Sequence, residues 1–313
     1  MVGDDASRFQ VLALDGGGLK GVFTAAVLAK LEEDFKTRII DHFDLIAGTS
    51  TGGLIALGLA SGMSAREVLD FYLEHQHAIF PRRVFSGLRR AFQPYDPSAL
   101  DEALCVAFGE RTLGESPVRL VIPSFDLISN NVYLFRTPHL ERLRRDYRAR
   151  MVDVARATTA APTFLPAHNL DGARLVDGGV WANNPTMCAL VEANECAGGL
   201  AGVSVLNIGT TRDVKVRPRK LDKAGWARWS THVVDLVLHG QALASFNHAA
   251  LLLPAGNAVR LDVEVPAGRY RLDRIDDTEL RGLAAVASRV HGPRVASFFQ
   301  HCAEPYQRPG AGR

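Results

Sequence analysis

The 313-residue sequence has no long hydrophobic run and little net charge, and no signal peptide is expected. No stretch approaches the roughly 18 apolar residues that a membrane-spanning helix needs, so any membrane contact is expected to be peripheral. The first ten residues, MVGDDASRFQ, are acidic and lack the apolar segment of a signal peptide. A formal net charge of +2 argues against a nucleic acid polymer as a partner.

Cysteine is also scarce. The sequence has four cysteines, none in C-x-x-C spacing, and we interpret them as reduced thiols in the core: Cys105, Cys188, Cys196 and Cys302. Together with the missing signal peptide, this predicts a cytoplasmic protein.

What the sequence does contain is an alternation of strand and helix patterns. Short apolar runs predict strands at 9–14, 43–47, 118–122, 132–135, 203–208 and 259–265. Helical patterns lie at 21–35, 52–61, 64–80, 153–160, 226–252 and 278–290. This alternation predicts one α/β domain whose mostly parallel sheet is covered on both faces.

The first strand runs into a glycine turn, DGGGLKG at 15–21. Gly16, Gly18 and Gly21 match the dinucleotide fingerprint G-x-G-x-x-G, but the acids that should hold the ribose, at 32–34, fall inside the following helix. The turn is not a Walker A loop either. Three glycines before a helix can direct backbone N–H groups at an anion, with Lys20 adding a positive charge. The alternative is an ordinary turn with a solvated lysine.

A second turn, IAGTSTGG at 46–53, places Ser50 between Gly48 and Gly52. A strand, G-x-S-x-G and a buried helix form the nucleophile elbow, which presents the serine hydroxyl at the carboxyl end of the sheet. The same pattern also occurs as a purely structural turn. The glycine turn would supply N–H donors for an oxyanion, and this combination favours the catalytic interpretation.

A serine nucleophile needs a base. The segment LVDGGVWANNP at 175–185 delivers Asp177 into a double-glycine turn, where a buried carboxylate can accept the serine proton. The alternatives are that D-G-G is merely a turn, or that the base is one of five histidines outside any recognisable motif: His232, His239, His248, His291 and His301.

Together the three motifs resemble the patatin-like phospholipases, lipid acyl hydrolases with a Ser–Asp dyad. The resemblance covers roughly residues 9–210 and includes ARATTAAPTFLPA at 155–167. It implies a three-layer α/β/α sandwich without metal or organic cofactor, with Ser50 as nucleophile and Asp177 as base. It places Gly16, Gly17 and Gly18 in the oxyanion hole, with Lys20 holding that loop or meeting an anionic head group.

The remaining chain matches this family only loosely. We interpret 1–313 as a single domain in which 211–306 form a lid or regulatory region and 307–313 a loose tail. A narrower resemblance is to the bacterial phospholipase effectors of cyclic-oligonucleotide-based anti-phage signalling (CBASS). It implies activation by a cyclic dinucleotide such as 3′,3′-cGAMP, attack on membrane phospholipid at the inner face of the cell membrane, and a possible homo-oligomer.

Two groups of arginines are natural partners for a bis-phosphate ligand. One group lies at 82–90, between aromatic residues. It could also contact anionic lipid, and the alternative is a solvated loop that packs its aromatic side chains inward. The other group lies in the C-terminal third: Arg260, Arg269, Arg271, Arg274, Arg281 and Arg289. The competing functions are an unregulated lipase or esterase of lipid housekeeping, and a non-catalytic lipid-binding member.

Overall fold

The computed structural model describes residues 8–79, 96–214, 219–266 and 277–306. Its strands are β1 (Phe9–Leu14), β2 (Leu45–Gly48), β3 (Arg119–Asp126), β4 (Asn131–Arg136), β5 (His168–Leu170), β6 (Ala173–Asp177), β7 (Val203–Ile208), β8 (Arg212–Val214), β9 (Ala258–Leu261) and β10 (Glu264–Pro266). Its helices are α1 (Gly21–Phe35), α2 (Thr51–Ala60), α3 (Ala65–Ile79), α4 (Ser98–Phe108), α5 (Met151–Thr159), α6 (Gly179–Ala182), α7 (Thr186–Cys196), α8 (Trp226–Leu252) and α9 (Asp277–Val295).

Eight strands form the main sheet, in the order β5-β6-β3-β2-β1-β7-β9, with β4 paired to β3. The pairs from β3 through β2, β1 and β7 to β9 are parallel, whereas β4, β6 and β5 join antiparallel. The carboxyl ends of the parallel strands therefore meet along one edge, where α/β proteins carry their sites.

Strand β3 changes neighbour along one of its sides. Arg119, Leu120 and Val121 pair with β2, whereas Ser124, Phe125 and Asp126 pair with β6. Strand β4 lies along the opposite side. Pro123 falls between the two pairings. At this position the strand needs no N–H donor, so a proline costs no hydrogen bond of the sheet. The end of β6 is thereby placed beside the end of β2.

Two apolar layers cover the sheet. Leu12 and Leu14 of β1 face the cluster that includes α1, α2 and α5, while Val11 and Ala13 face the cluster with α7 and α8. This alternation is the period of two expected when helices cover both faces of a strand. The structure therefore confirms the α/β/α sandwich with a mostly parallel central sheet.

The predicted helix at 21–35 and strand at 203–208 match α1 and β7. The predicted strand at 259–265 is wrong as one element, because β9 joins the main sheet while β10 pairs with β8. The four cysteines are unpaired, but Cys105 and Cys302 are exposed, so these two are not core residues.

Candidate active site

Ser50 occupies the turn between β2 and α2 in a backbone conformation that few residues adopt. Its φ is 54° and its ψ is −119°, and a positive φ is rare for a residue with a Cβ atom. Strain of this kind is held only where the surroundings impose it, and it concentrates at functional sites. The Ser50 N–H donates to Thr158 Oγ1 at 3.0 Å, which fixes the turn from α5.

The two glycines flanking Ser50 are required by close backbone approach. A Cβ atom on Gly48 would collide with the backbone of Gly52, and one on Gly52 would collide with the carbonyl of Leu14 at the end of β1. The Thr49 N–H also donates to Leu14 O, at 3.2 Å. The backbone of the elbow is therefore tightly packed between Gly48 and Gly52, and it contacts the end of β1, where the glycine loop starts.

The glycine loop leaves β1 at Asp15 and enters a short 3₁₀ helix, Gly18–Lys20, before α1. Gly18 has a φ of 59°, the left-handed region that favours glycine. A Cβ atom on Gly17 would collide with the Thr210 side chain. The N–H groups of Gly17 and Gly18 have no acceptor among the described residues. The described structure thus leaves these two donors without a protein partner.

Lys20 makes a contact outside the glycine loop to which it belongs. Its Nζ lies 3.3 Å from Thr211 O and donates to it. Of the two roles that the sequence allowed, holding the loop or meeting an anionic head group, this contact supports the first.

Asp177 ends β6 and is 6% exposed. Its carboxylate accepts a hydrogen bond from the Gly179 N–H at 2.7 Å, and the Ser50 side chain lies near enough to influence its pKa. Burial raises the pKa of Asp177 to about 6, although the Ser50 side chain and the Gly179 N–H both act in the lowering direction. A carboxyl group with this pKa is ionised at neutral pH and is a stronger proton acceptor than an exposed aspartate.

The segment after Asp177 joins the other two motifs. Asn183 accepts a hydrogen bond from the Gly16 N–H at 2.8 Å, and Thr49 Oγ1 donates to Ala182 O at 2.6 Å. The structure therefore brings together Ser50, Asp177 and the glycine loop, three segments that are far apart in the sequence.

A buried polar network under the glycine loop was not found by sequence reasoning. Asp15 accepts hydrogen bonds from Asn207 Nδ2 at 2.8 Å and forms an ion pair with Arg260 on β9, also at 2.8 Å. Arg260 in addition binds Asp262 at 2.7 Å. Burial alone lowers the pKa of Arg260, but the two carboxylates together raise it above its ordinary value. Arg260 is thus already paired with two carboxylates of the protein, whereas the sequence suggested that it binds a phosphate.

Thr158 is the second residue that sequence reasoning missed. Its hydroxyl donates to Pro123 O at 2.7 Å and accepts the Ser50 N–H. It thereby ties α5 and β3 to the elbow. The ARATTAAPTF segment offered a family likeness, but no pattern in it singled out this threonine.

None of the hydrogen bonds in the described structure joins a histidine to Ser50. His301 binds Asp44 at 2.8 Å, before the start of β2 and thus at the opposite end of the sheet. His239 and His248 are exposed on α8, His232 is half-buried, and the side chain of His291 lies outside the described residues. Asp177 is the acceptor that the geometry provides.

The arginines at 82–90 and at 269–274, and the tail at 307–313, lie outside the described residues. Within the described part, no group of three histidine, cysteine, aspartate or glutamate side chains is arranged to hold a metal ion. No helix in that part combines the length and the hydropathy needed to cross a bilayer.

Comparison with known proteins gives a consistent result. The family model described as Patatin-like phospholipase matches residues 12–190. Three curated relatives bear the name cGAMP-activated phospholipase. The one from Escherichia coli (strain TW11681) is 32% identical, covering 97% of this chain and 96% of that protein. The one from Vibrio cholerae serotype O1 is 33% identical over 90% and 89%, and the one from Pseudomonas aeruginosa 36% identical over 95% and 93%.

Among solved structures, VipD from Legionella pneumophila has a similar fold. The TM-score is 0.51 at 14% identity, and the match covers 94% of this chain and 67% of that chain. At this identity the likeness concerns the fold alone.

Proposed function

Because this chain belongs to the patatin-like phospholipase family, we propose that it is a serine acyl hydrolase that releases fatty acids from membrane phospholipids. The observation that carries the proposal is the placement of the strained Ser50 beside the buried carboxylate of Asp177. A lipid-binding protein without activity has no need of a serine held in this backbone conformation.

In the first half of the reaction, Ser50 Oγ attacks the ester carbonyl carbon while its proton passes to Asp177. The tetrahedral intermediate collapses, the bond to the alcohol oxygen breaks, and protonated Asp177 returns the proton to the leaving lysophospholipid. In the second half, a water molecule loses a proton to Asp177 and attacks the acyl-serine ester. The fatty acid leaves and Ser50 regains its proton, so that the free enzyme is restored.

We assign stabilisation of the oxyanion to the glycine loop at Gly16, Gly17 and Gly18. The N–H groups of Gly17 and Gly18 have no acceptor in the described structure, and α1 begins directly after the loop, at Gly21. Donors that already point at the developing charge need no reorganisation during the reaction. The remaining bond of the loop, from the Gly16 N–H to Asn183 O, holds it against the Asp177 segment.

We further propose that a cyclic dinucleotide of the 3′,3′-cGAMP type activates the enzyme in anti-phage defence, at the inner face of the cell membrane. Support comes from three relatives that carry this activation in their names and match the chain over nearly its whole length. A ligand activates only if it binds the active or assembled state more tightly than the resting one. We place the regulatory response, with a possible change of oligomeric state, in the C-terminal part of a single domain.

The test is release of fatty acid from mixed phospholipid vesicles, with and without a panel of cyclic dinucleotides. We expect low basal release, a strong rise with one 3′,3′-linked member, and none from Ser50→Ala. Full activity without nucleotide would leave an unregulated lipase. Binding of lipid without release under any condition would leave a lipid-binding protein.

A further inference from the structure

Helix α8 contains a stretch in which no side chain is buried. From His232 to Gly240 the sequence is HVVDLVLHG, mainly aliphatic, and every residue is half-buried or exposed. Val234, Leu236 and Val237 are 64%, 40% and 54% exposed. A helix on a protein surface normally turns its apolar stripe to the core. This stretch turns its apolar side chains to the outside.

The same part of α8 is nearly free of charge. Between Trp229 and Leu252 the only aspartate, glutamate, lysine or arginine is Asp235. Helices that stay in water usually carry charged residues on the exposed side, and large exposed apolar surfaces mark interaction sites. The aliphatic and nearly uncharged composition of this stretch therefore favours contact with an apolar surface over contact with water.

The uncovered stretch lies directly beside the candidate catalytic pair. Gln241, one turn after Val237, donates from Nε2 to Gly179 O at 2.9 Å and accepts the Asn183 N–H at 3.3 Å. Residues four apart share a helix face, so Val237 lies one turn before the contact with the Asp177 turn and is itself exposed. Val180, in that turn, is itself 40% exposed.

A second uncovered apolar element is the tip of the β3–β4 hairpin. Leu127, Ile128 and Val132 are 41%, 65% and 47% exposed, and 127–135, LISNNVYLF, contains no charged residue. Strand β3 continues from Val121, its last partner of β2, to Asp126. At about 3.3 Å per residue, the tip extends roughly 17 Å beyond that pairing, on the side where β2 leads into Ser50.

The hairpin tip is also rigid. The Asp126 carboxylate accepts the N–H of Ile128 at 3.0 Å, the N–H of Ser129 at 3.1 Å and the N–H of Arg174 at 3.0 Å. These bonds and that of the Ser129 hydroxyl hold the pKa of Asp126 below its ordinary value. The Asp126 carboxylate at the base of the tip is thus satisfied, and the backbone that carries the exposed Leu127 and Ile128 is held by its hydrogen bonds.

We propose that these elements form a docking surface for a lipid bilayer around the entrance to Ser50. We call it the docking rim; it consists of His232–Gly240, Val180 and the hairpin tip with Leu127, Ile128 and Val132. The assignment rests on the proposed phospholipase function. A second copy of the chain seated on this rim would cover the approach to Ser50, whereas a bilayer seated there brings the ester to it. The hairpin tip carries no charge and Asp235 is the only aspartate, glutamate, lysine or arginine of the α8 stretch, so the rim can enter the interface with little burial of ions.

The test compares a rim variant with a matched control. The rim variant carries Ile128→Ser, Val234→Ser and Val237→Ser. The control carries Val106→Ser, Val191→Ser and Val286→Ser, on α4, α7 and α9, where these valines are 79%, 67% and 52% exposed. All six residues are exposed, so the substitutions leave the core unchanged. Each protein is measured for binding to vesicles of phosphatidylethanolamine and phosphatidylglycerol, in 3′,3′-cGAMP, and for turnover of dissolved p-nitrophenyl butyrate.

We expect the rim variant to bind vesicles about 10²-fold more weakly than wild type, since each lost aliphatic contact costs up to roughly tenfold. Its turnover of the dissolved ester should stay normal, and the control should match wild type in both assays. Unchanged vesicle binding by the rim variant would overturn the proposal. So would dissociation of a dimer, seen by sedimentation velocity, without a change in vesicle binding. If wild type hydrolyses neither substrate, the proposed function fails, while the binding comparison still decides the docking rim.

Discussion

Arg260 Nη2 lies 2.8 Å from Asp15 Oδ2, so a residue of the last third of the chain is paired with the first residue of the glycine loop. Asp15 is 3% exposed, and a buried carboxylate of this kind depends on its cation. The position of the loop therefore depends on β9 as well as on β1.

Replacing Arg260 with methionine should weaken both the fold and the activity. Removal of one partner of a buried ion pair typically costs about 3–5 kcal/mol, because the other charge stays buried alone. Urea denaturation and ester turnover measure the two effects. Arg289→Met, at an exposed position of α9, is the control. Equal stability of the two variants would show that Asp15 does not need Arg260.

Ser50→Ala should abolish ester hydrolysis and leave the fold intact. The unusual backbone angles are imposed by the turn on alanine as much as on serine, so the free energy of unfolding should change little. Ser61→Ala, at the end of the same helix, removes a comparable hydroxyl and should keep full activity. Wild-type turnover by Ser50→Ala would refute its assignment as the nucleophile.

Asp177→Asn should lose about as much activity as Ser50→Ala, because members of one catalytic unit do not act additively. Asparagine keeps the shape and can still accept the Gly179 N–H, but it cannot take the serine proton. Alanine variants of His232, His239 and His248 should remain active. An active Asp177→Asn enzyme together with a dead histidine variant would identify a triad hydrolase instead.

The pH profile should report the burial of Asp177. Since burial raises the pKa of this carboxyl to about 6, the group is protonated below that pH and cannot serve as a base. The kcat/KM for a dissolved ester should therefore rise through about pH 6 and level off above it. The profile of an exposed aspartate, with half-activity near pH 4, would contradict the burial of the base.

Gly17→Val should reduce turnover by about 10²–10³, the usual loss when an oxyanion donor is displaced. Its side chain would collide with Thr210 and displace the loop. Gly282→Val, where no neighbour lies within 4 Å, is the matched control. Near-normal turnover by a folded Gly17→Val protein would show that the glycines serve only the turn.

The sequence predicted the parts of the site that are local in the chain. The elbow and the glycine loop each combine a strand, a tight turn and a helix, and such units carry their own signals in glycine spacing and hydrophobic periodicity. Helix α1 begins at the residue where the glycine turn ends, as predicted. The helix predicted at 64–80 matches α3, and a capping box precedes it, with the Ser64 N–H donating to Glu67 at 2.7 Å and the Glu67 N–H donating to Ser64 Oγ at 3.2 Å.

What could not be predicted depends on contacts between distant segments. Arg260 was one of several arginines in the C-terminal third, and its partner Asp15 is 245 positions away (260 − 15). What distinguishes Thr158 is its hydrogen bond with the Ser50 N–H, which is a contact between distant segments. The change of neighbour along β3, which sets Asp177 beside the elbow, is a property of the sheet, and Pro123 is its one visible trace in the sequence.

The pairing of Asp15 with Arg260 also bears on when the enzyme becomes competent during its own synthesis. A ribosome produces the chain from the amino end, so Ser50 and Asp177 are both made well before residue 260. Until β9 emerges, Asp15 has no cation and the sheet lacks its edge strand beside β7. An unfinished chain thus carries Ser50 and Asp177 without a settled glycine loop, and we expect the proposed activity only after β9 has been made.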